Sequence, residues 1–317
     1  MLKETVILYP APAIGHLVSM VELGKLVLLH NPNFFVTVLV PSMPSQHDTF
    51  SSYTKLISET NNTLITFYPL PSLTLPDDPD HQNPVALACE FMRLNVPNVI
   101  SALETISISS SSSILALITS AIVTDASYHP KIPTYHYYTS CASSLAFMLH
   151  FPTLDSQISP QSFRDLGSSI VQIPGLQPII KACHVPEPLL DRNQGYDEFL
   201  NFATYLPKAD GLILNTFNCL ETRAIEAISL TIPTLYCVGP IVADAKDRSS
   251  VSKNASLDCL SWLDKQPSRS VVFLCFGSRG TFCETQIKQI AIGLERSNQR
   301  FLWVVKSPLG SNQRSLR

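Results

Sequence analysis

The sequence predicts an α/β protein built on a parallel sheet, and three observations at its start predict it. Val6-Ile7-Leu8-Tyr9 is an apolar run. Leu17, Met20, Val21, Leu23, Leu26 and Val27 then recur at helical spacing, and Phe35-Val36-Thr37-Val38-Leu39-Val40 is β-branched and apolar almost throughout. Strands apolar on both faces lie under helices on both sides, and such a strand–helix–strand unit closes with a right-handed crossover. At 317 residues the chain exceeds the roughly 250–300 that a single core holds, so two domains are expected. A hydrophobic share of 45% supplies the apolar surface for them.

The remaining elements follow in order. Pro10 to His16 is a turn-rich loop, and the first helix runs to His30, where Asn31-Pro32-Asn33 stops it. Leu64 to Tyr68 reads as a strand, and Val85 to Leu103 as a helix interrupted at Pro97. The serine run Ser109–Ser113 reads as a flexible surface loop. Ile114–Ile118 and Ile132–Tyr138 are strands, and Ser140 to His150 is a helix. The proline-studded stretch Pro152–Pro188 has weak periodicity and is expected to wrap the surface. Tyr196–Tyr205 is a helix, Gly211–Asn215 a strand, Leu220–Leu230 a helix and Tyr236–Pro240 a short strand.

Residues 243–254 are polar and aromatic-free, as a linker would be. A second βαβ unit begins beyond it: helix Leu257–Leu263, strand Val271–Phe276, helix Glu284–Arg296 and strand Phe301–Val305. The expected division is therefore a first domain over 1–240, a linker over 241–256 and a partial second domain over 257–317. The last segment is shorter than the roughly 100–150 residues typical of a domain, so the sequence reads as truncated at its C-terminus.

Composition excludes several classes of partner. The net charge is -3, with 22 basic and 25 acidic residues and no polybasic field, so nucleic acid and anionic membranes are not expected. No apolar stretch is long enough for a membrane span or a signal-peptide core. Eight cysteines never form a C-x-x-C pair, and several, such as Cys275, lie in apolar runs as buried free thiols do in a reducing compartment. The expectation is a soluble, cytoplasmic monomer.

Two places could carry chemistry. His16 sits where the first strand hands over to the first helix, at the carboxyl edge where open α/β sheets bind ligands. Imidazole there suits abstraction of a hydroxyl proton; a plain helix-start histidine is the alternative. Gly277-Ser278-Arg279-Gly280 follows a strand and precedes a helix, which fits either a phosphate-binding loop or an ordinary glycine turn. It lacks the spacing of the serine-hydrolase elbow, the P-loop and the dinucleotide fingerprint, and no such fingerprint follows the first strand, which argues against a Rossmann-type oxidoreductase. Asp125, His129, His136 and His184 show no metal-ligand spacing and read as surface or core residues.

Several segments together resemble the plant family-1 UDP-sugar-dependent glycosyltransferases, in particular the flavonoid and anthocyanidin glucosyltransferase branch. They are Pro10–Lys25 with Ile14-Gly15-His16, Gly211–Phe217 with Leu220-Glu221, Val238-Gly239-Pro240, Cys259–Pro267, Ser270–Ser278 and Arg300–Val305. The resemblance implies a GT-B architecture, with a complete N-terminal Rossmann-like domain for the acceptor and the beginning of a second for the UDP-sugar. It implies inverting transfer of glucose to a small phenolic hydroxyl, with UDP-sugar as co-substrate and with no metal or other cofactor. His16 matches the general base and, with Ile14, meets the acceptor, while Gly15, Thr139 and Ser278 match donor-side positions.

Two departures stand out. The family's aspartate that orients the histidine follows the strand ending in A-L-I, and here Ser120 takes that place, with Asp125 five residues on as a substitute. The family's donor-binding segment is not recognisable after Trp303. An inactive homologue that retains acceptor binding is therefore the alternative reading.

Overall fold

The computed structural model describes residues 3–42, 47–60, 64–73, 75, 83–109, 112–120, 131–177, 179–243, 256–277 and 281–307. The chain forms two compact units, Met1–Ser250 and Val251–Arg317.

The first unit is a doubly wound sheet. Its parallel strands are β1 (Lys3–Tyr9), β2 (Phe35–Val40), β3 (Ile65–Pro69), β4 (Ser112–Ser120) and β5 (Thr134–Tyr138), followed by β8 (Gly211–Leu214) and β9 (Leu235–Cys237). They lie in the order β3-β2-β1-β4-β5-β8-β9. The short β6 (Ile170–Val171) and β7 (Ile180–Lys181) pair as a separate antiparallel ribbon. Helices α1 (Ile14–His30) and α2 (His47–Thr60) cover one face of β1 and β2, where Leu17, Met20 and Val21 meet Val6, Leu8, Val36 and Val38. Gly24 makes the close approach possible, because a Cβ there would lie 3.1 Å from both Leu8 and Val36. On the other face, α3 (Pro84–Leu94) and α4 (Val96–Ser109) pack on Ile7, Tyr9, Leu39 and Leu117. Helices α5 (Ala142–Ile158), α7 (Gln194–Tyr205) and α8 (Asn218–Ser229) pack on Leu212 and Leu214.

Four expectations require correction. Residues 47–60 form a helix that the sequence reading left out; Phe50, Tyr53 and Ile57 are buried at helical spacing in an otherwise polar Ser/Thr segment. The break in the third helical stretch falls at Asn95 rather than at Pro97, which has no N–H for the Arg93 carbonyl and sits in the first turn of α4. The serine run does not stay a loop, since Ser112 and Ser113 already pair with Lys3 and Glu4 in the sheet. Pro152 does not end a helix either. Helix α5 carries it internally to Ile158, and the stretch beyond, including α6 (Phe163–Leu166), enters the core rather than wrapping the surface. Phe151, Phe163 and Tyr196 meet there, with the Phe151 and Tyr196 rings edge-on at 4.9 Å.

One stretch of sheet lacks a helical cover among the described residues. On the α1 side, Ile118, Tyr135 and Ile213 line an apolar cavity of about 460 Å³ together with Leu23, Val27 and Phe34.

In the second unit α9 (Ser256–Asp264) and α10 (Glu284–Arg296) accompany a two-stranded parallel sheet, β10 (Val271–Leu274) with β11 (Arg300–Trp303). Helix α10 has no buried residue, and Phe273 is 64% exposed. Cys275, expected to be buried, is exposed; of the eight free cysteines only Cys89 is buried.

Two predictions follow from packing. His136, in the middle of β5, has a buried Nδ1 with no hydrogen-bond partner among the described residues, and burial lowers its imidazole to about 4. The unfolded chain binds this proton below about pH 6.5 whereas the folded one does not until about pH 4, so stability falls as the pH drops through that window. The loss is about 3 kcal/mol, and His136→Leu is expected to flatten it in urea titrations run across that range. Amide hydrogen exchange is expected to be faster in 256–307 than in β1, β4 and β5, because a two-stranded parallel sheet with exposed faces gives little protection.

Candidate functional site

The strand order places a crevice between β1 and β4. The chain runs outward from β1 to β2 and β3, then returns to the opposite side of β1 to form β4. The winding thus reverses at β1, and the carboxyl ends of the two strands at such a reversal are where open α/β sheets hold ligands.

Ile14, Gly15 and His16 are the first three residues of α1, directly above the end of β1. The N-cap Ala13 offers no side-chain bond, and its carbonyl accepts from the His16 N–H at 2.9 Å. Ile14 is half-buried against the core under α1, whereas Gly15 is exposed and a Cβ there would meet nothing within 4 Å. Packing therefore does not demand glycine at this position.

Ser120 is the last residue of β4 and is wholly buried. Its Oγ lies 3.4 Å from Nδ1 of the half-buried His16, at the long limit of a hydrogen bond. Thr139 is half-buried just beyond β5, the strand next to β4, on the same edge of the sheet. Of the residues singled out from the sequence, the structure thus brings His16 and Ser120 into contact and sets Ile14, Gly15 and Thr139 on the same edge. Asp125, His129 and Ser278 lie outside the described residues. His184 is exposed, and His136 lies within the sheet.

Two supports escaped the sequence reading. Ser19 Oγ and Tyr137 Oη are 2.8 Å apart, tying α1 one turn below His16 to β5. Burial raises the Tyr137 phenol, with the Ser19 bond acting against it. The second is Glu221, at a non-helical kink in α8. Its carboxylate accepts from the N–H groups of Ala142 at 2.8 Å and Ser143 at 2.9 Å, and from the hydroxyls of Ser143 at 2.9 Å and Thr216 at 2.7 Å. It thereby caps α5, whose own N-cap Cys141 makes no side-chain bond, directly behind Thr139. Burial pushes this carboxyl up, but the bonds from Thr216, Ser143 and Ala142 outweigh it and hold it below the usual range. A glutamate near the start of α8, with Thr216 five residues before it, was the available signal.

No protein-family model matches the chain. UDP-glycosyltransferase 88F4 of Malus domestica is 42% identical over 321 residues, 96% of this chain and 66% of that protein. The anthocyanidin 5,3-O-glucosyltransferase of a Rosa hybrid cultivar is 38% identical over 324 residues, with the same two coverages, 96% and 66%. The apo structure of Phytolacca americana UGT2 superposes with a TM-score of 0.79 at 33% identity, over 99% of this chain and 67% of that one. The chain belongs to the plant UDP-glycosyltransferases.

Its sheet is the N-terminal Rossmann-like domain of the GT-B architecture, and β10 and β11 begin the second. This plant UDP-glycosyltransferase chain spans about two thirds of the length of the curated relatives it matches, 66%. No described helix is long and apolar enough to cross a bilayer.

Replacing Glu221 with Gln sets an amide N–H against backbone N–H groups at the start of α5. The expected cost is about 2–3 kcal/mol, measurable by urea unfolding. The depressed carboxyl of Glu221 contributes stability above about pH 4.5, its ordinary value, and this contribution is lost as the pH falls through the folded value. The Gln variant should lack that acid-side component.

Proposed function

We propose that the chain carries the acceptor side of an inverting UDP-sugar glycosyltransferase that glucosylates a hydroxyl of a small phenolic compound, with His16 as general base. The contact between His16 Nδ1 and Ser120 Oγ at the sheet's crevice supports the reading, along with relatives named as glucosyltransferases of phenolic compounds. His16 Nε2 would take the acceptor's hydroxyl proton while the acceptor oxygen bonds to the anomeric carbon. The bond from that carbon to the UDP oxygen breaks on the opposite face, and the configuration inverts. Thr139, on the same edge, faces the donor sugar in this reading. Ile14 borders the acceptor, and Gly15 leaves room beside the donor. Eight cysteines with no disulfide fit a reducing compartment such as the cytoplasm.

Ser120 decides how well the base works. For Nε2 to accept a proton, Nδ1 must carry its own and donate it to Ser120 Oγ. A carboxylate can only accept there, so it locks that tautomer and stabilises the imidazolium that forms. A hydroxyl can donate or accept, so it does neither. Losing the carboxylate from such a pair costs up to about 10⁴-fold in the serine-protease triad. A hydroxyl in the carboxylate's place favours a second reading, a chain that binds acceptor but transfers slowly or not at all, whereas Asp125 acting as the substitute carboxylate favours transfer.

A product assay separates the two. The purified chain is incubated with UDP-glucose and a panel of flavonoids, and products are read by mass spectrometry. A glucoside that disappears in His16→Ala supports the transferase. Saturable fluorescence quenching by a flavonoid without product supports the acceptor-binding reading. Where transfer is measurable, Ser120→Asp is expected to raise kcat by about ten- to a thousandfold, with some loss of Tm from the buried charge. An unchanged kcat in a folded Ser120→Asp variant would show that Ser120 does not orient the base.

A further inference from the structure

The carboxyl edge that carries His16 holds a second cavity, which the proposed transfer does not use. It has a volume of about 350 Å³ and opens where β2 ends at Val40 and β3 ends at Pro69, with α2 along one side. The volume falls in the roughly 300–1,000 Å³ range of small-molecule sites. Neighbouring strands are about 4.8 Å apart, which puts the cavity roughly 5–10 Å along the edge from the end of β1, where His16 sits.

Its walls are chemically divided. Phe50, Phe67 and Leu70 supply an apolar floor, of which Phe50 and Leu70 are almost fully buried. Hydroxyls of Ser42, Ser51 and Ser72 stand at the rim, and Ser42 Oγ and Ser72 Oγ are hydrogen-bonded at 3.1 Å across the loops that follow β2 and β3. No described lining residue carries a charge. A phosphate or carboxylate would lose its hydration here without a counter-ion, and a purely apolar ligand would leave the rim hydroxyls facing carbon. The complement of this surface is an uncharged ring with apolar faces and hydroxyls on its edge.

We propose that this cavity is a second ligand subsite, taking an uncharged, hydroxylated six-membered ring that forms the far end of the acceptor. The link to the acceptor rests on the reading of His16 as the base; the ring-binding chemistry rests on the cavity alone. A sugar ring and a phenolic ring share this chemistry, and two probes distinguish them.

The full chain is titrated with methyl β-D-glucoside and, separately, with resorcinol, and binding is read by saturation-transfer NMR. At least one probe is expected to bind saturably. Glucoside binding alone assigns the far ring as a sugar, and resorcinol binding alone as a phenol. Ser51→Phe, which places a ring at the mouth from an exposed position on α2, is expected to weaken binding by about tenfold. The smaller change Ser42→Ala with Ser72→Ala, which folding tolerates more readily, should weaken it about three- to tenfold. His16→Ala should leave affinity within about twofold. The proposal is overturned if neither probe binds, if variants with wild-type Tm bind unchanged, or if His16→Ala abolishes binding. Retained ring binding in a chain that transfers no glucose would favour the acceptor-binding reading over the transferase and keep the subsite. Transfer without ring binding would do the reverse.

Discussion

The return of the chain from β3 to the far side of β1 governs the rest of the molecule. Parallel strands cannot be joined by tight turns, so each pair requires a crossover, and the crossovers from β1, β2, β3, β5 and β8 carry helix. All strand ends of one polarity then lie on one edge. Reversing the direction of winding at β1 leaves the loops after β1 and β4 without a shared crossover. His16 opens the first of these loops into α1, and Ser120 ends the strand before the second. Residues 104 positions apart in sequence meet because of this single topological step.

Two of the helices that start on this edge, α1 and α5, handle their exposed N–H groups differently. Neither Ala13 before α1 nor Cys141 before α5 provides a capping side chain. Helix α5 receives a full carboxylate from Glu221, which engages both of its leading N–H groups and ties α8 to the same point. A carboxylate at a helix start gains from the macrodipole as well as from its hydrogen bonds. This anchor needs no partner cation, which explains how Glu221 stays ionised while half-buried. It keeps the segment behind Thr139 rigid at a place where the chain would otherwise fray.

What could be read from the sequence followed periodicity. The strands around Val6 and Val36 announce themselves because parallel strands covered on both faces are continuous apolar runs, and those around Ile114, Tyr135 and Leu212 through their β-branched and aromatic residues. Helix α2 was hidden because only Phe50, Tyr53 and Ile57 carry its pattern amid serines and threonines that suit a loop equally well. Pro152 looked like a boundary, yet the aromatic packing of Phe151 against Tyr196 and Phe163 holds α5 through it. Cys275 looked buried because its neighbours are apolar, but among the described residues β10 pairs with β11 alone. His16 and Ser120 could be singled out by position and resemblance. Glu221 stood in one of the resembling segments, but its capping role could not be read, because it depends on a kink and on the first residues of α5, Ala142 and Ser143, 79 and 78 residues earlier.

The pairing of His16 with Ser120 sets stability against chemistry. Ser120 has no exposed surface, so a carboxylate there would need the imidazolium, or further donors, to offset its desolvation. The His16 imidazole lies in the first turn of α1, where the helix dipole opposes a positive ring. A serine avoids the buried ion. Under the proposed reading of His16 as the base, a hydroxyl in Ser120's place supplies no charge of its own when the ring becomes positive. In that reading serine favours the folded, unreacting protein over the transition state, the direction in which stability and activity commonly diverge at a catalytic position.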